Sequence, residues 1–497
     1  MSETPATPLP QTITPTRRRG LAAAGAAALA GVVLVAGLSA FNDPQASAES
    51  ADAPAACTAQ DPASPPPARE PVPTTVDTVA QAYYCIFDNY YGGSLIDDRQ
   101  LLQYAFQAVV RDLRERGIDQ PRAVLPALTG DRDEDWSRFA ERLQEVLDAA
   151  TDDEDVRSAL AVTAIEGMLE SLHDNHAGYL VAGGGTTSDA QPWGLGIGLN
   201  RTLPAAETAP DFTGPLFLTS VDPDTPAAAA GLKPGDVIDA VNGVPVFTNG
   251  QLNPGVLDYL RPPSGESTPV VLSITRPATG RTKRVRVVPG PLPAQPQTGV
   301  EAEVVDGGIA SVRVGSFYPG VAQEVLQAVA DLQESTAITG VVLDMRGNRG
   351  GLGDEANRLL GAFVHDASAV SFCDAEGACE PQPVDDSVPL LNLPMATLVD
   401  DGCASACEVF ATGVKDLGLG ALVGTRTAGA NSGPALEYAL DDGVSLIRLP
   451  SHRVVGANGE IIDGVGVPPD HYAPLTAEDL SAGEDAALDK AVELLGS

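Results

Sequence analysis

The chain has 497 residues, 43% of them hydrophobic, and a formal net charge of -37. This length exceeds what one hydrophobic core organises, so we expect about three domains. So large an excess of acidic residues repels phosphate backbones and anionic lipid surfaces, and we therefore predict no nucleic-acid partner.

The N-terminus has the pattern of an export signal or a membrane anchor. Arginines at 17–19 precede residues 21–41, an uncharged and mostly apolar run that is long enough to span a bilayer as one helix. The arginines place residues 1–20 in the cytoplasm as a short tail and the remainder outside. Ala46–Ser47–Ala48 offers a cleavage site beyond the run. A retained anchor is favoured, which predicts a single-pass cell-membrane protein, and cleaved export stays open.

Six cysteines and an oxidising compartment make disulfides plausible. The favoured pair is Cys373–Cys379, which brackets a turn-like loop. Cys57–Cys85 would join the linker to the first helical region. Cys403–Cys407 is spaced by one helical turn and is either bridged or reduced. The spacing does not fit the paired short gaps of a zinc site, so we predict no metal.

The rest of the chain divides into four segments. Residues 42–75 are rich in Pro, Ala and Ser and are typical of a linker. Residues 76–185 show apolar residues at three- and four-residue spacing, which predicts a helical region. Residues 188–292 change to short alternating stretches between turns, which predicts a β-domain. Residues 298–497 alternate strand and helix patterns and end in a helix, so we expect a multidomain α/β protein whose last domain has a largely parallel sheet.

Ser405 lies in DGCASACEVF (401–410), between an apolar strand pattern and a helix pattern. The first amides of a helix have no intrahelical partners and carry partial positive charge. A serine at this point can attack a carbonyl while nearby amides hold the oxyanion. The same position suits a serine that only caps the helix, so both interpretations stay open on this stretch alone.

Several stretches together resemble one family. They are GIASVRVGSF (308–317), GVVLDMRGNRGG (340–351), DDGCASACEVFATGVKDLG (400–418), ALVGTRTAG (421–429) and GVGVPPD (464–470). In this order they are similar to motifs of the C-terminal-processing, tricorn-like serine peptidases. The stretch from WGLGIGL to AAAAGLKPGDVIDAVNGVPV (193–246) looks like the PDZ domain of many members. The resemblance covers roughly residues 76–495, and it implies that Ser405 is the nucleophile and that the amides of Gly351 and Ala406 form the oxyanion hole.

The lysine that many members use as the base is missing. Its segment reads RTAGANSG (426–433), in which the lysine position falls on Ala430, and no other lysine fits. The tricorn-like branch uses a histidine before the PDZ position and an acid near the C-terminus. By this resemblance HDNHAG (173–178) assigns the base to His176, and IIDGVGVPPD assigns the acid to Asp463, where the branch usually has Glu.

Asp463 would fix the tautomer of His176 and stabilise the imidazolium. His452 remains a rival base and Glu460 an alternative acid. Asn175 stands where the branch often has a serine. Three further polar residues are interpreted as structural: His173, Glu408 and Asp416.

Leu195–Gly196–Ile197–Gly198 reads like the loop with which PDZ domains take the carboxylate of an extended peptide. Substrates would then be proteins or peptides with free C-termini, and a spacer domain with a blocked groove is the alternative. We expect a membrane-attached, extracytoplasmic serine endopeptidase that processes envelope or secreted proteins without metal or cofactor. A catalytically inactive PDZ adaptor is the second hypothesis, favoured by the missing lysine and by Asp in place of Glu.

Overall fold

The computed structural model describes residues 57–60, 70–120, 122–181, 192–200, 214–293 and 299–496. All of them belong to one compact unit that begins at Pro54. The expected membrane helix at 21–41 lies outside these residues. Within the described ranges, no helix is long and apolar enough to cross a membrane.

The N-terminal region is helical, as its sequence pattern predicts. Its helices are α1 (Val76–Asn89), α2 (Asp98–Glu115), α3 (Arg132–Ala150) and α4 (Glu154–Glu170), and strand β1 (Gly178–Val181) follows. An aspartate carboxylate accepts a first-turn amide at the start of three helices, Asp97 for α2, Asp131 for α3 and Asp153 for α4. Such caps satisfy amides that have no partner within the helix. The apolar faces of the helices meet in one core.

The described part of the linker is attached to the folded unit. The predicted disulfide Cys57–Cys85 joins it to α1 and is present. The amide of Gln60 donates to the carbonyl of Glu437, 2.7 Å away. Residues 57–60 are therefore held against the last segment of the chain, residues 298–497, rather than standing away from it.

The PDZ-like domain is built from short antiparallel strands. These are β2 (Trp193–Gly194), β3 (Ile197–Leu199), β4 (Leu218–Val221), β5 (Val237–Val241), β6 (Val244–Pro245), β7 (Phe247–Thr248), β8 (Gln251–Leu252), β9 (Val270–Arg276), β10 (Arg281–Val287) and β11 (Gly290–Pro291). Helix α5 (Pro226–Ala229) lies between β4 and β5, and α6 (Pro254–Leu260) lies between β8 and β9. Strands β10, β9, β5 and β6 form its largest sheet, and the domain has its own core.

The last segment carries the predicted alternation of strands and helices. Its strands are β12 (Val300–Val305), β13 (Ile309–Val314), β14 (Gly340–Asp344), β15 (Ser368–Cys373), β16 (Cys379–Pro383), β17 (Met395–Val399), β18 (Gly420–Gly424), β19 (Ala435–Ala439), β20 (Ser445–Pro450), β21 (Arg453–Gly456) and β22 (His471–Tyr472). Its helices are α7 (Val321–Ser335), α8 (Gly353–Gly361), α9 (Ala406–Asp416), α10 (Ala477–Ala482) and α11 (Ala486–Leu495). The predicted disulfide Cys373–Cys379 closes the β15–β16 hairpin.

The central sheet positions the candidate nucleophile. Its strand order is β12-β13-β14-β17-β18-β22, and every neighbouring pair except β12–β13 is parallel, which confirms the largely parallel sheet. Strands β14 and β17 are parallel neighbours, so their carboxyl ends meet at one edge. Gly351 follows the first of these strands and Ser405 follows the second.

A three-stranded sheet connects the helical region to the last segment of the chain. Strand β1 pairs with β20, which pairs with β19. Tyr438, Ile447 and Leu449 from β19 and β20 are buried in the core of the four N-terminal helices. This pairing brings the residues just before β1, which include His176, to the last segment of the chain.

The PDZ-like domain contacts the C-terminal helix α10. The amide of Ala278 donates to the hydroxyl of Ser481 at 2.9 Å. Gly235, with φ of +80°, lies so close to α10 that an added Cβ would be 2.5 Å from the amide nitrogen of Ser481. A side chain has no room at this contact, which explains the need for glycine.

Candidate active site

Ser405 lies at the sharp turn between β17 and α9. It is the N-cap of α9 and has φ of 55° and ψ of -122°. Non-glycine residues seldom adopt such values, and they persist only where the surroundings hold them. Cys403 and Cys407 flank the serine and form a disulfide, which settles the possibility left open by their spacing. The surrounding structure therefore holds Ser405 in an unusual backbone conformation at the start of α9.

Glu408, in the first turn of α9, ties that helix to the loop that follows β18. Its Oε1 accepts from the Thr427 hydroxyl at 2.6 Å and from the Gly429 amide at 2.7 Å, and its Oε2 accepts from the Ala430 amide at 2.8 Å. The carbonyl of Ala430 accepts the Ser405 amide at 2.8 Å. Burial raises the pKa of Glu408, although these hydrogen bonds oppose the shift. The carboxyl thus holds the loop against the serine.

His176 is the histidine that lies beside Ser405. Its Nε2 lies 3.1 Å from Ser405 Oγ, within hydrogen-bond distance. The carbonyl of His176 accepts from Arg448 Nε at 3.2 Å, which anchors it to β20. Burial has the largest effect on the pKa of His176 and lowers it, and the charge of Arg448 acts in the same direction. The charges of Asp174 and Asp463 raise this pKa. The net shift in the pKa of His176 is downward, which favours the neutral imidazole, the form that can accept a proton.

The other ring nitrogen of His176 contacts a residue that the sequence analysis did not identify. Nδ1 lies 3.2 Å from Ser432 Oγ, and this hydroxyl donates to Asp174 Oδ1 at 2.7 Å. The direct distance from Nδ1 to Asp174 Oδ1 is 3.8 Å, too long for a hydrogen bond. Ser432 therefore stands between the imidazole and a buried carboxylate.

Asp463 lies at the same site but is held by other groups. Its Oδ1 accepts from the Asn431 amide at 3.0 Å, and its Oδ2 accepts from the Tyr91 hydroxyl at 3.2 Å. Burial raises the pKa of Asp463. The contact with His176 Nδ1 is made by Ser432 and not by Asp463. The charge of Asp463 raises the pKa of His176, and the catalytic role expected of Asp463 stays a prediction.

Two glycines in the turn after β14 are tightly packed. A Cβ added to Gly350 would lie 2.8 Å from both the Ala406 amide nitrogen and Ser405 Cβ. Gly351 has φ of +133°, and its own Cβ would lie 2.2 Å from the carbonyl oxygen of Phe317. Ala406 is the first residue of α9, so its amide has no intrahelical partner. The turn after β14 therefore packs against the start of α9 at Ser405, and the oxyanion hole of Gly351 and Ala406 stays a prediction.

The remaining candidates of the sequence analysis lie elsewhere. His452 Nδ1 lies 2.8 Å from Ser451 Oγ, and His173 Nε2 lies 3.4 Å from the Tyr104 hydroxyl. The Glu460 carbonyl accepts the Gly456 amide, and the Asp416 carboxylate accepts the Asn458 amide. Each of these groups is engaged in local structure.

None of the four lysines of the chain, all of which lie in the described ranges, is seen to bond to Ser405. Lys415 Nζ donates to Pro468 O at 2.8 Å and to Asp470 Oδ1 at 2.9 Å. Lys283 Nζ donates to the Gly231 carbonyl, and Lys233 lies in the same PDZ-like domain. Lys490 pairs with Glu493. Ala430, at the position where many relatives have the lysine, is buried.

The predicted peptide-binding loop sits at the edge of the PDZ-like core. The side chain of Leu195 is buried, so only its backbone can face a ligand. Gly196 has φ of +77° and packs against Thr225, where a Cβ would overlap the threonine side chain at 2.3 Å. Ile197 and Gly198 lie on β3, which pairs with β4.

In the described part of the chain, no group of three or more His, Cys, Asp or Glu side chains is arranged to hold a metal ion.

Comparison with known proteins gives matches of the same kind in both sequence and structure. Residues 308–473 match the model of peptidase family S41, and residues 217–273 match a PDZ domain. The carboxy-terminal processing protease CtpA of Bacillus subtilis (strain 168) is 27% identical over 313 residues, which is 63% of this chain and 63% of that protein. The chain thus spans less than two thirds of that relative.

Two further comparisons agree. The carboxy-terminal-processing protease of Bartonella bacilliformis (strain ATCC 35685 / KC583 / Herrer 020/F12,63) is 27% identical over 338 residues, covering 66% of this chain and 73% of that protein. The solved structure of the photosystem II D1 C-terminal processing protease has a TM-score of 0.51 at 22% identity, covering 86% of this chain and 98% of that chain, which shows a shared fold. Residues 308–473 are thus similar to peptidase family S41, and the chain as a whole resembles the PDZ-containing carboxy-terminal processing proteases in sequence and in fold.

Proposed function

We propose that the chain is an extracytoplasmic endopeptidase in which Ser405 is the nucleophile and His176 the general base. The observation that carries this proposal is the 3.1 Å distance between His176 Nε2 and Ser405 Oγ. A hydroxyl is a weak nucleophile until a positioned base accepts its proton, and a neutral imidazole serves this purpose near neutral pH. Burial supplies the neutral form, because it lowers the pKa of His176.

The reaction proceeds by an acyl-enzyme in two halves. Ser405 Oγ bonds to the scissile carbonyl carbon as its proton passes to His176 Nε2, and the carbonyl oxygen becomes an oxyanion. The amides of Gly351 and Ala406 donate to that oxyanion. The carbon–nitrogen bond then breaks, and the leaving amine takes the proton from Nε2. A water molecule repeats the sequence on the ester and releases the new C-terminus.

Asp463 contributes a negative charge in this proposal. Its charge favours the protonated imidazole that forms during each half-reaction, because it raises the pKa of His176 against the effect of burial. Its hydrogen bonds to Tyr91 and Asn431 hold the carboxylate in place. We assign to Asp463 electrostatic stabilisation rather than orientation of the ring.

Peptide C-termini are the proposed recognition element. The amides of Leu195–Gly196–Ile197–Gly198 take a terminal carboxylate, and the peptide extends beside β3. The names of the relatives, carboxy-terminal processing proteases, support this class of substrate. The net charge of -37 argues against nucleic acid as a partner.

An extracytoplasmic location with attachment through residues 21–41 is part of the same proposal. The apolar run with preceding arginines supports it. Three disulfides, Cys57–Cys85, Cys373–Cys379 and Cys403–Cys407, fit an oxidising compartment.

A catalytically inactive PDZ adaptor is the second candidate, favoured by Ala430 at the position of the missing lysine. A serine-reactive fluorophosphonate probe separates the two functions. The peptidase requires labelling of the wild-type full chain that disappears in Ser405→Ala and persists in Ser451→Ala, a serine beside a different histidine. Absence of labelling in the folded wild type favours the adaptor.

A further inference from the structure

The hydrogen bonds of His176 lead to an acid other than Asp463. From its Nδ1 they run through Ser432 to Asp174, and the Tyr90 hydroxyl donates to the second oxygen of Asp174 at 3.1 Å. We propose that Asp174 orients His176 through the hydroxyl of Ser432, and that Tyr90 positions Asp174. This inference rests on the proposed roles of Ser405 and His176, and it names three positioning residues for that reaction.

The direction of every hydrogen bond in the series follows from the carboxylate. An ionised carboxylate only accepts, so the Ser432 hydroxyl must give its hydrogen to Asp174 Oδ1. The Ser432 oxygen is then an acceptor toward the ring, and His176 Nδ1 must carry the hydrogen. Nε2 is left with its lone pair toward the Ser405 hydroxyl, 3.1 Å away. One carboxylate thus selects the tautomer that catalysis needs.

Asp174 is itself held on both oxygens. Oδ1 accepts from the His176 backbone amide at 2.9 Å in addition to Ser432 at 2.7 Å, and Oδ2 accepts from Tyr90. Asp174 is 8% exposed and Ser432 5% exposed. Hydrogen bonds to a buried carboxylate are charge-assisted and little screened, so they restrict its geometry strongly.

Asp463 does not have this geometry. It is partly buried, and its two oxygens are occupied by the Asn431 amide and the Tyr91 hydroxyl. Its effect on His176 is through charge alone. Removing it should therefore disturb the reaction less than removing Asp174 or the Ser432 hydroxyl.

The loop that follows β18 supplies Ser432, and Glu408 holds this loop to the helix of the nucleophile. Ser432 is two residues after Ala430, whose amide and carbonyl are bonded to Glu408 and Ser405. Asn175, where the branch often has a serine, is exposed. A hydroxyl from a different segment takes the position between the imidazole and the acid.

The first test compares kcat and KM in the full chain for Ser432→Ala, Asp174→Asn and Tyr90→Phe. We expect kcat to fall by about 10²- to 10⁴-fold for Asp174→Asn and by about 10²-fold for Ser432→Ala, with KM little changed, as for loss of a group that orients a catalytic histidine. Tyr90→Phe should have a smaller effect in the same direction. Because Ser432 and Asp174 act through one link, the double variant should be no slower than the slower single variant.

Matched controls distinguish this role from general destabilisation. Ser451→Ala removes a hydroxyl from beside His452. Tyr84→Phe removes a hydroxyl that donates to Asp133 from α1, the helix that Tyr90 directly follows. Both should keep wild-type kcat. Asp463→Asn should lose less than about tenfold, as expected for a charge that acts at a distance. A larger loss for Asp463→Asn than for Asp174→Asn would overturn the proposal.

The acid limb of kcat/KM against pH gives a second readout. The charged groups that act on His176 are Asp174, Asp463 and Arg448. Asp174 raises the pKa of His176, so Asp174→Asn should move the acid limb to lower pH while the plateau falls. A variant that only loosens the fold would lower the plateau and leave the limb in place.

The tautomer of His176 can be measured without any turnover. In full-length Ser405→Ala labelled with ¹⁵N-histidine, and assigned with His176→Gln, we expect the neutral ring to carry its hydrogen on Nδ1. Adding Ser432→Ala should give a mixture of tautomers, whereas adding Ser451→Ala should not. An unchanged Nδ1–H tautomer in the Ser432→Ala protein would refute the proposal, even if the wild-type enzyme cleaves no substrate. If only the proposed peptidase function is wrong, the wild type will cleave no substrate, but His176 will still carry its hydrogen on Nδ1.

Discussion

Replacing Gly351 with alanine tests the oxyanion hole by a change of one methyl group. At the φ of +133° observed for Gly351, the new Cβ would lie 2.2 Å from the Phe317 carbonyl oxygen and 2.8 Å from its carbonyl carbon. Non-bonded carbon and oxygen atoms do not approach so closely, so the turn must move by about 1 Å, a displacement that costs about 10²-fold in rate when it misplaces a catalytic group. The backbone region is also one that only glycine occupies readily, at a cost of about 1–3 kcal/mol to other residues.

We therefore expect kcat for Gly351→Ala to fall by about 10²- to 10³-fold, the loss associated with one oxyanion donor, about 2.7–4 kcal/mol. The measurement is kcat/KM on an unfolded model protein, with thermal unfolding recorded in parallel. Gly353→Ala is the matched control, because a Cβ there meets no atom within 4 Å and Gly353 begins helix α8. The control should keep its activity and gain slightly in stability, by about 0.5–1 kcal/mol.

Wild-type turnover in Gly351→Ala would refute the assignment of this amide to the oxyanion. An equal loss in both glycine variants would point to general damage of the turn between β14 and α8. Selective loss in Gly351→Ala, with the protein folded at the assay temperature, is the result the geometry predicts.

Three further variants test other features. Lys415→Met should keep its turnover in the same assay, because the amine bonds Pro468 and Asp470 rather than the nucleophile, and its loss of activity would revive a lysine base. Gly235→Ala should lower the Tm and increase hydrogen exchange in α10, while Gly243→Ala, also at positive φ but with open space, should do neither, and equal effects would contradict the close contact. Burial raises the pKa of Asp98, and Asp135 raises it further, so the stabilising effect of Asp98 is lost as pH rises through its folded pKa. Asp98→Asn should therefore raise the Tm at neutral pH more than at acidic pH, and a lower Tm at neutral pH would contradict this.

The architecture could be predicted because its signals are local. Alternation of β14, α8, β17 and α9 is visible as runs of apolar residues and helical spacing, and parallel neighbours place Gly351 and Ser405 at one edge. The sharp turn at the serine and the helix start are likewise properties of adjacent residues. The Cys403–Cys407 bridge could not be settled from its spacing, since both bonded and reduced cysteines occur one helical turn apart.

The orientation of the base depends on contacts distant in sequence, and these could not be predicted. Ser432 lies 256 residues from His176 along the chain, and Tyr90 lies 84 residues from Asp174. The β1–β20 pairing that brings these segments together has no signature in either strand alone. The motif HDNHAG contained Asp174, two residues before the histidine, but only the fold shows that a serine connects the two.

Cleavage of an unfolded model protein by the full chain, beside Ser405→Ala and His176→Ala, tests the central claim most directly. The account predicts turnover by the wild type and its loss in both variants, with all three proteins folded. Turnover in His176→Ala equal to that of the wild type would contradict the assignment of the base, and absence of turnover by the folded wild type on several substrates would contradict the proposed function itself.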